Sequence, residues 1–406
     1  MPLLKFPKTS ILLHPAVVAL LIWAMVSLLY SLHLSSLLLF STNEVIQTAL
    51  LIVGPIIAGS LIYVGINALR SPAAKVREFH RELGLPEIER RVQQSMRLWM
   101  LLAVVETIVS GGVPLIWILT GNGKSDFDYG IPSVHGMVDA LLLALSTASF
   151  ALYLYTHKRR HLRIPVFAIV WSIIVVSRGT VFVLLLESGI VYLRLQKIQK
   201  KTVVSLIVVT LLFLIVFGFI GDLRVGQEAF RTLAQPTEAY PAWAPSGLLW
   251  AYIYATTPIN NLILTMHTIR PSFNILFPNT ISTLFPSTLR TLIYGADWAS
   301  SAVSGALVTE ALNVSTAYAG PFQDMGVFGM TAFGLYAGIL CARYWYRPGF
   351  WNVLVFTVFT EALVLSLFFN EFFSLPILGQ FVWFYYFTAR KKKNKLLVAV
   401  PVQNVG

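Results

Sequence analysis

Apolar runs long enough to cross a lipid bilayer recur along this chain, separated by short basic connectors, and no other feature constrains its fold as strongly. A helix needs about 20 apolar residues to traverse the hydrocarbon core. Ten stretches approach that length: 11–34, 44–69, 98–120, 134–156, 164–177, 179–194, 203–221, 326–343, 350–369 and 375–389, the fifth and sixth being short. With 56% hydrophobic and only 12% charged residues among 406, the chain lacks the charged surface that a soluble protein of this size needs. The expectation is an all-α polytopic membrane protein of about ten transmembrane helices, with one large, partly helical outer segment.

The basic residues carry orientation. With ten spans, the N-terminus, the connectors "RSPAAKVREFHRELGLPEIERRVQQSMR", "HKRRHLR", "RLQKIQKK" and "RYWYRPG", and the tail "RKKKNK" all fall on one side. They hold 24 of the 30 Lys and Arg residues, and an excess of that kind marks the cytoplasmic face. Only Lys124, Arg178, Arg224, Arg231, Arg270 and Arg290 fall outside. The net charge of +12 is therefore an orientation signal, and it calls for no nucleic-acid partner.

The expected organisation is a bundle over 1–221, an outer segment over 222–325, further spans over 326–389 and a basic cytoplasmic tail over 390–406. The first run is long enough to span, so it reads as a helix and not as a cleaved signal. Cys341 is the single cysteine, which excludes an internal disulfide framework and a cysteine-based structural metal site. No Walker, HExxH or Cys/His spacing occurs, and no metal or other cofactor is expected.

Five of the six outside cations are arginine, whose planar fork suits phosphate and carboxylate oxygens better than the point charge of lysine. Arg178, in "VVSRGTVF", sits at the tight outer turn of a short hairpin, with Gly179 beside it to permit the reversal and the approach of an oxyanion. Arg224 follows the seventh run in "GDLRVGQ". Both lie at the depth of a lipid-linked phosphate, although snorkelling to lipid head groups or pairing with Asp222 explains them as well.

Near the same face come Asp126, Asp128, His135, Asp139, Glu228, Asp297, Glu310 and Asp324. With them come Trp243, Trp250, Tyr252, Tyr254, Trp298 and Tyr318, and the amides Asn260, Asn261 and Gln323. Aromatic faces and amide edges suit sugar rings, while an interfacial aromatic belt accounts for most of them unaided. Four acids lie within apolar runs: Glu106, Asp139, Glu187 and Glu361. Asp139 is one helical turn beyond His135, so the two share a face, as a proton relay, a base site or a structural hydrogen bond.

Taken in order, "SGGVPLIW", "YGIPSVHGMVDALL", "VSRGTVFVLLL", "GDLRVGQ", "IYATTPINNL" and "NVSTAYAGPFQDMGVFGM" resemble the oligosaccharide repeat-unit polymerases, the Wzy-type O-antigen polymerases, over about residues 105–340. The resemblance implies a GT-C-type glycosyltransferase of the bacterial inner membrane, with cytoplasmic termini and a periplasmic active site. Such an enzyme transfers a growing glycan from undecaprenyl pyrophosphate to the nonreducing sugar of the next lipid-linked unit, surrounded by membrane lipids and served in some systems by a chain-length regulator. Preplaced arginines then stabilise the departing pyrophosphate in place of a divalent cation. Arg178 and Arg224 match family positions, and Arg270 and Arg290 correspond more loosely. The acceptor hydroxyl needs a base, for which Asp324, His135 and Glu310 stand available. Asp324 reads equally as an N-cap of the span it precedes. Tyr318 is placed to meet lipid head group or sugar, with Gln323, Asn260, Asn261 and Tyr254 as further sugar contacts. An O-antigen ligase uses the same donor, and a lipid-linked oligosaccharide flippase is the alternative of a different class.

Overall fold

The computed structural model describes residues 8–69, 84–125, 128–197, 204, 208, 227–241, 243–244, 246–295 and 305–389. The seventh expected span, Arg224, Asp222, Asp126, Asp297, Trp298 and the basic tail lie outside them. Among the described residues the chain is helical, with no strand beyond an isolated bridge between Ser35 and Pro236. In chain order the helices are α1 (Pro15–Ser31), α2 (Thr42–Leu69), α3 (Leu85–Ser110), α4 (Pro114–Thr120), α5 (His135–Thr156), α6 (Arg163–Ile174) and α7 (Arg178–Leu195). They continue with α8 (Gln227–Ala234), α9 (Ser246–Thr268), α10 (Pro278–Ile281), α11 (Ser287–Tyr294), α12 (Ala319–Trp345), α13 (Phe350–Leu365) and α14 (Leu375–Thr388).

Nine of the ten apolar runs coincide with helices. Among the described residues four segments are long and apolar enough to cross a membrane: Thr42–Leu69, Leu85–Thr120, His135–Thr156 and Ala319–Trp345. The others fall short for a physical reason. At 1.5 Å per residue, the 12 residues of α6 and the 14 of α14 reach well short of the ~30 Å hydrocarbon core.

The helix ends sort into two faces. At what we take as the upper end, α5, α7, α12 and α14 begin while α3 and α13 finish. At the lower end lie the described parts of the basic connectors, and there the chain is cross-tied: the Arg91 guanidinium donates to the Tyr386 and Ala389 carbonyls, and Arg160 pairs with Glu89.

The central contact is α2 against α12, made close by glycine. An added Cβ at Gly59 would lie 2.4 Å from the Leu335 carbonyl oxygen, and one at Gly338 would lie 2.2 Å from that of Ile56. Gly334 meets the Pro55 ring in the same seam, and the Ser60 hydroxyl reaches the Gly338 carbonyl at 3.3 Å. In lipid, where apolar burial does not drive helices together, such small-residue seams permit the backbone contact that does. The start of α2 is fixed by a capping box: Glu44 accepts from the Ser41 amide at 3.0 Å while Ser41 Oγ accepts from the Glu44 amide at 3.3 Å.

Helix α9 runs alongside the connector joining α1 to α2 and so lies across the upper end. The Tyr252 hydroxyl meets the Leu34 amide, and Asn260 meets Leu37 and Leu39. The His267 ring lies edge-on to Phe40. Its inner face is polar yet sealed: Thr256, Thr257, Asn260, Asn261 and Thr265 are all buried.

Candidate active site at the upper end

The site grows from the reversal that ends α3. Gly111 adopts the left-handed conformation, and the amides of Gly111 and Gly112 return to the Ile108 and Thr107 carbonyls. Lys124 Nζ donates to the Ser110 carbonyl at 2.8 Å, and the Gly130 amide donates to Ser110 Oγ at 2.9 Å. The 128–134 segment is thereby folded onto the end of α3. Gly130 has φ 98°, and a Cβ there would sit 2.5 Å from His135 Cγ, so only glycine leaves room for the imidazole.

His135, the first residue of α5, has a carboxylate at each ring nitrogen. Its Nδ1 is 3.2 Å from Glu106 Oε2, and its Nε2 is 3.4 Å from Asp139 Oδ2. Glu106 is 2% exposed and also accepts from the Ile131 amide, whereas the side chains of His135 and Asp139 are 34% and 29% exposed. The inner carboxylate therefore fixes the ring, and the outer nitrogen and carboxylate are where a proton can be exchanged with a bound molecule. Tyr129 stands edge-on to the imidazole at 5.5 Å, with its hydroxyl 3.2 Å from Thr107 Oγ1. Burial pushes that phenol upward, while the Ser125 amide and hydroxyl hold the Asp128 carboxyl below the usual carboxylate range.

Arg178 stands on the neighbouring turn. Its side chain is exposed and has no hydrogen bond or ion pair among the described residues. The turn before it packs through Trp171, Ile174 and Val175 against the cluster of Val113, Trp117 and Tyr129, and Tyr129 in that cluster also meets the imidazole. The expectation that Gly179 makes the reversal is corrected. Gly179 lies within the first turn of α7 with open space around it, and Val176 turns the chain with φ 60°. A β-branched residue in that region is strained.

The remaining expected residues separate from this pair. Asp324, fully buried in the first turns of α12, accepts from the Asn279 amide (3.1 Å), Asn279 Nδ2 (2.7 Å), the Thr280 amide (2.8 Å) and Thr280 Oγ1 (2.6 Å). It is neither an accessible base nor the cap of its own span; it caps α10 from across the fold. Directly after it α12 breaks, at Met325 and at Gly326 with φ 61°. Arg290 is likewise committed, donating from Nε to the Ser282 carbonyl at 3.1 Å and from Nη2 to that of Phe285 at 3.4 Å.

Asn260 and Asn261 are pins and not sugar edges. The first accepts from the Tyr30 hydroxyl at 2.7 Å and holds the 37–39 connector, and the second holds the Leu312 and Val314 carbonyls and the Val308 amide. Tyr318, expected at a head group, is 0% exposed between Trp23 and Phe333. Gln323 is half-buried and bonds back to the Ala319 carbonyl. Arg270 and Glu310 are exposed. Tyr254 is exposed beside a groove of about 260 Å³ lined by Thr257, Pro258, Leu312 and Asn313. That volume includes open solvent, and the enclosed part has room for about one water molecule.

Sequence reasoning marked Glu106 as an acid within an apolar run but did not join it to His135, because 29 residues and a change of helix separate them. Around this site the upper end is drawn together by α10 and α11. Thr288 Oγ1 lies 3.4 Å from Ser133 Oγ, Thr283 Oγ1 donates to the Phe373 carbonyl, and Asn370 Nδ2 donates to that of Thr280. No family model, curated protein or solved structure matches the chain.

Proposed function

We propose that the chain is a bacterial inner-membrane polysaccharide polymerase, moving a growing glycan from its undecaprenyl-pyrophosphate carrier to the nonreducing sugar of another lipid-linked repeat unit. One observation carries the reading. An exposed arginine with no side-chain partner among the described residues and a carboxylate-flanked imidazole occupy the same end of the bundle, on either side of the Val113, Trp117 and Tyr129 cluster. A phosphate-bearing donor needs the first and a hydroxyl acceptor needs the second.

In this mechanism Arg178 binds the pyrophosphate, with Arg224 as its expected companion. His135 takes the acceptor hydroxyl proton at Nε2, on the side of Asp139, while Glu106 keeps the ring oriented. The acceptor oxygen bonds to the anomeric carbon as the bond to the pyrophosphate oxygen breaks. Arg178 then offsets the charge that grows on the leaving group. Asp324 drops out as base, and Arg290 drops out as a clamp. The ten-span topology, with cytoplasmic termini and the site on the periplasmic face, belongs to the same proposal. It draws support from Arg90, Arg91, Arg159, Arg160, Arg343 and Arg347, which sit by the helix ends opposite His135.

The test is the surface glycan of a strain lacking this protein, complemented with wild type, Arg178→Lys or His135→Ala. A polymerase leaves one repeat unit on the final acceptor when deleted and restores a ladder when supplied. Arg178→Lys restores little, since a point charge does not reproduce the fork. Full-length glycan stranded on the carrier in the deletion strain establishes a ligase instead. Absence of any lipid-linked unit on the outer side establishes a flippase.

A further inference from the structure

Elsewhere in the bundle, a buried carboxylate has no hydrogen-bond partner among the described residues. Glu361, on α13, is 0% exposed, and neither of its oxygens has a hydrogen-bond partner among the described residues. Helices α1, α5, α7, α12 and α14 and the turn Glu371–Phe373 surround α13. An ionised carboxylate left bare in such a place is among the costliest arrangements a protein interior can adopt, and a proton removes most of that cost.

The neighbours say where the proton goes. The charged groups facing Glu361 are both acids, Glu371 above it and Glu187 on α7. Glu187 is also fully buried, but it accepts from Thr147 Oγ1 and from Gln380 Nε2, the latter at 2.7 Å. Glu187 is held by two donors, while Glu361 has none. A proton on Glu361 relieves the crowding of buried like charges without breaking a hydrogen bond.

Of the cations on the surrounding helices, Arg178 opens α7 at the exposed upper end, and Arg194 and Arg343 are occupied lower down. Arg194 donates to the Trp345 carbonyl and lies over Phe356, and Arg343 lies over Tyr344. On α5 and α12, His135, Asp139 and Asp324 are held in the contacts described above. Cys341 donates to the Phe359 carbonyl, and Tyr30, on α1, donates to Asn260.

The unpartnered atoms above and beside Glu361 are of one chemical kind. Glu371 Oε2 and Asn370 Oδ1 at the upper turn, and the fully buried Gln380 Oε1 on α14, are all acceptors without donors among the described residues. The Asn370 amide is oriented by its donation to the Thr280 carbonyl, and that of Gln380 by its donation to Glu187. Buried acceptors left without donors call for protons or donor waters. Among the described residues no group of three or more His, Cys, Asp or Glu side chains is placed for a metal ion.

We propose that Glu361 is an intramembrane proton-binding site, filled from the upper face past Asn370 and Glu371, and neutral in the resting protein. The exchange is simple: one proton leaves the upper aqueous phase and bonds to a Glu361 carboxylate oxygen. The closure of α7, α13 and α14 around the site depends on that proton. This inference is independent of the glycosyl-transfer reading.

The test is infrared spectroscopy of the full-length protein in a detergent free of ester groups. At neutral pH the wild type is expected to show a protonated-carboxyl band that shifts in D₂O. Glu361→Gln loses that band, Glu361→Asp moves it, Glu187→Gln retains it, and exchanging sodium or potassium for choline leaves it unchanged. Glu371→Gln slows the D₂O shift, because it removes an acceptor from the entry. Absence of the band in the wild type overturns the proposal whether or not the variants fold. Survival of an unaltered band in folded Glu361→Gln also overturns it. A band that emerges only when alkali cations are removed replaces the proton with a bound cation.

Discussion

Replacing Asp324 by Asn tests the reading of the upper end most sharply, because sequence and structure assign that residue different work. Four donors from Asn279 and Thr280 converge on its two oxygens at 2.6–3.1 Å, in a place with no solvent access. Asparagine keeps one oxygen, enough for the two contacts from Asn279. Its amide nitrogen then faces Thr280, whose hydroxyl can turn to accept but whose backbone N–H cannot. One buried amide is stranded, and the contacts that remain lose charge assistance, for a cost of about 3 kcal/mol. The loss falls on α10, and with it on the Thr280 carbonyl that accepts from Asn370. Thermal unfolding of the purified protein reads the effect, and the midpoint of Asp324→Asn is expected to fall clearly below wild type. An unchanged midpoint with abolished glycan assembly would refute the argument, since it would make Asp324 a base and not a clasp.

Gly338→Leu is expected to abolish recovery of folded protein on size-exclusion chromatography, as its Cβ would collide with the Ile56 carbonyl; Gly65→Ala, with open space around it, is expected to be neutral or stabilising by up to ~1 kcal/mol. Val176→Gly relieves the left-handed strain of about 1–2 kcal/mol at the cost of some unfolded-chain entropy, so its melting midpoint should rise slightly. Glu106→Gln keeps the shape of the site but weakens its hold on Nδ1, so the pH profile of glycan assembly should shift while expression does not. Asp128, whose carboxyl is held below its ordinary value by Ser125, stabilises its turn fully above the unfolded carboxylate range and loses that contribution as pH falls through the lowered folded value. Nicking near Asp128 by an acid protease should therefore increase on acidification, and Ser125→Ala should be nicked at a higher pH.

Hydropathy alone located the helices of the bundle, because an apolar run of that length has few other ways to satisfy its backbone in lipid. The pairing of His135 with Asp139 was legible for a similar local reason, a spacing of one helical turn. Glu106 was not, since nothing in its own surroundings announces which distant loop folds over it. Asn260 and Asn261 misled because an amide in an aromatic segment reads the same whether it meets a sugar or pins a loop, and only the Leu37, Leu312 and Val314 carbonyls decide. Arg290 is a parallel case: its charge suggested an anion, and the carbonyls of Ser282 and Phe285 take its donors. Val176 reversed an expectation built on Gly179, three residues further on, since strain in a turn is set by what packs around it.

The seam between α2 and α12 has a consequence for how the protein is made. Gly59 meets Leu335 and Gly338 meets Ile56, well over half the chain away, so the face that Gly59 presents has no partner until the ribosome has delivered α12, which begins at Ala319. The early helices must therefore wait in the membrane with a notch left open. Any pause, truncation or premature release before α12 is inserted leaves that notch for the quality-control machinery to find.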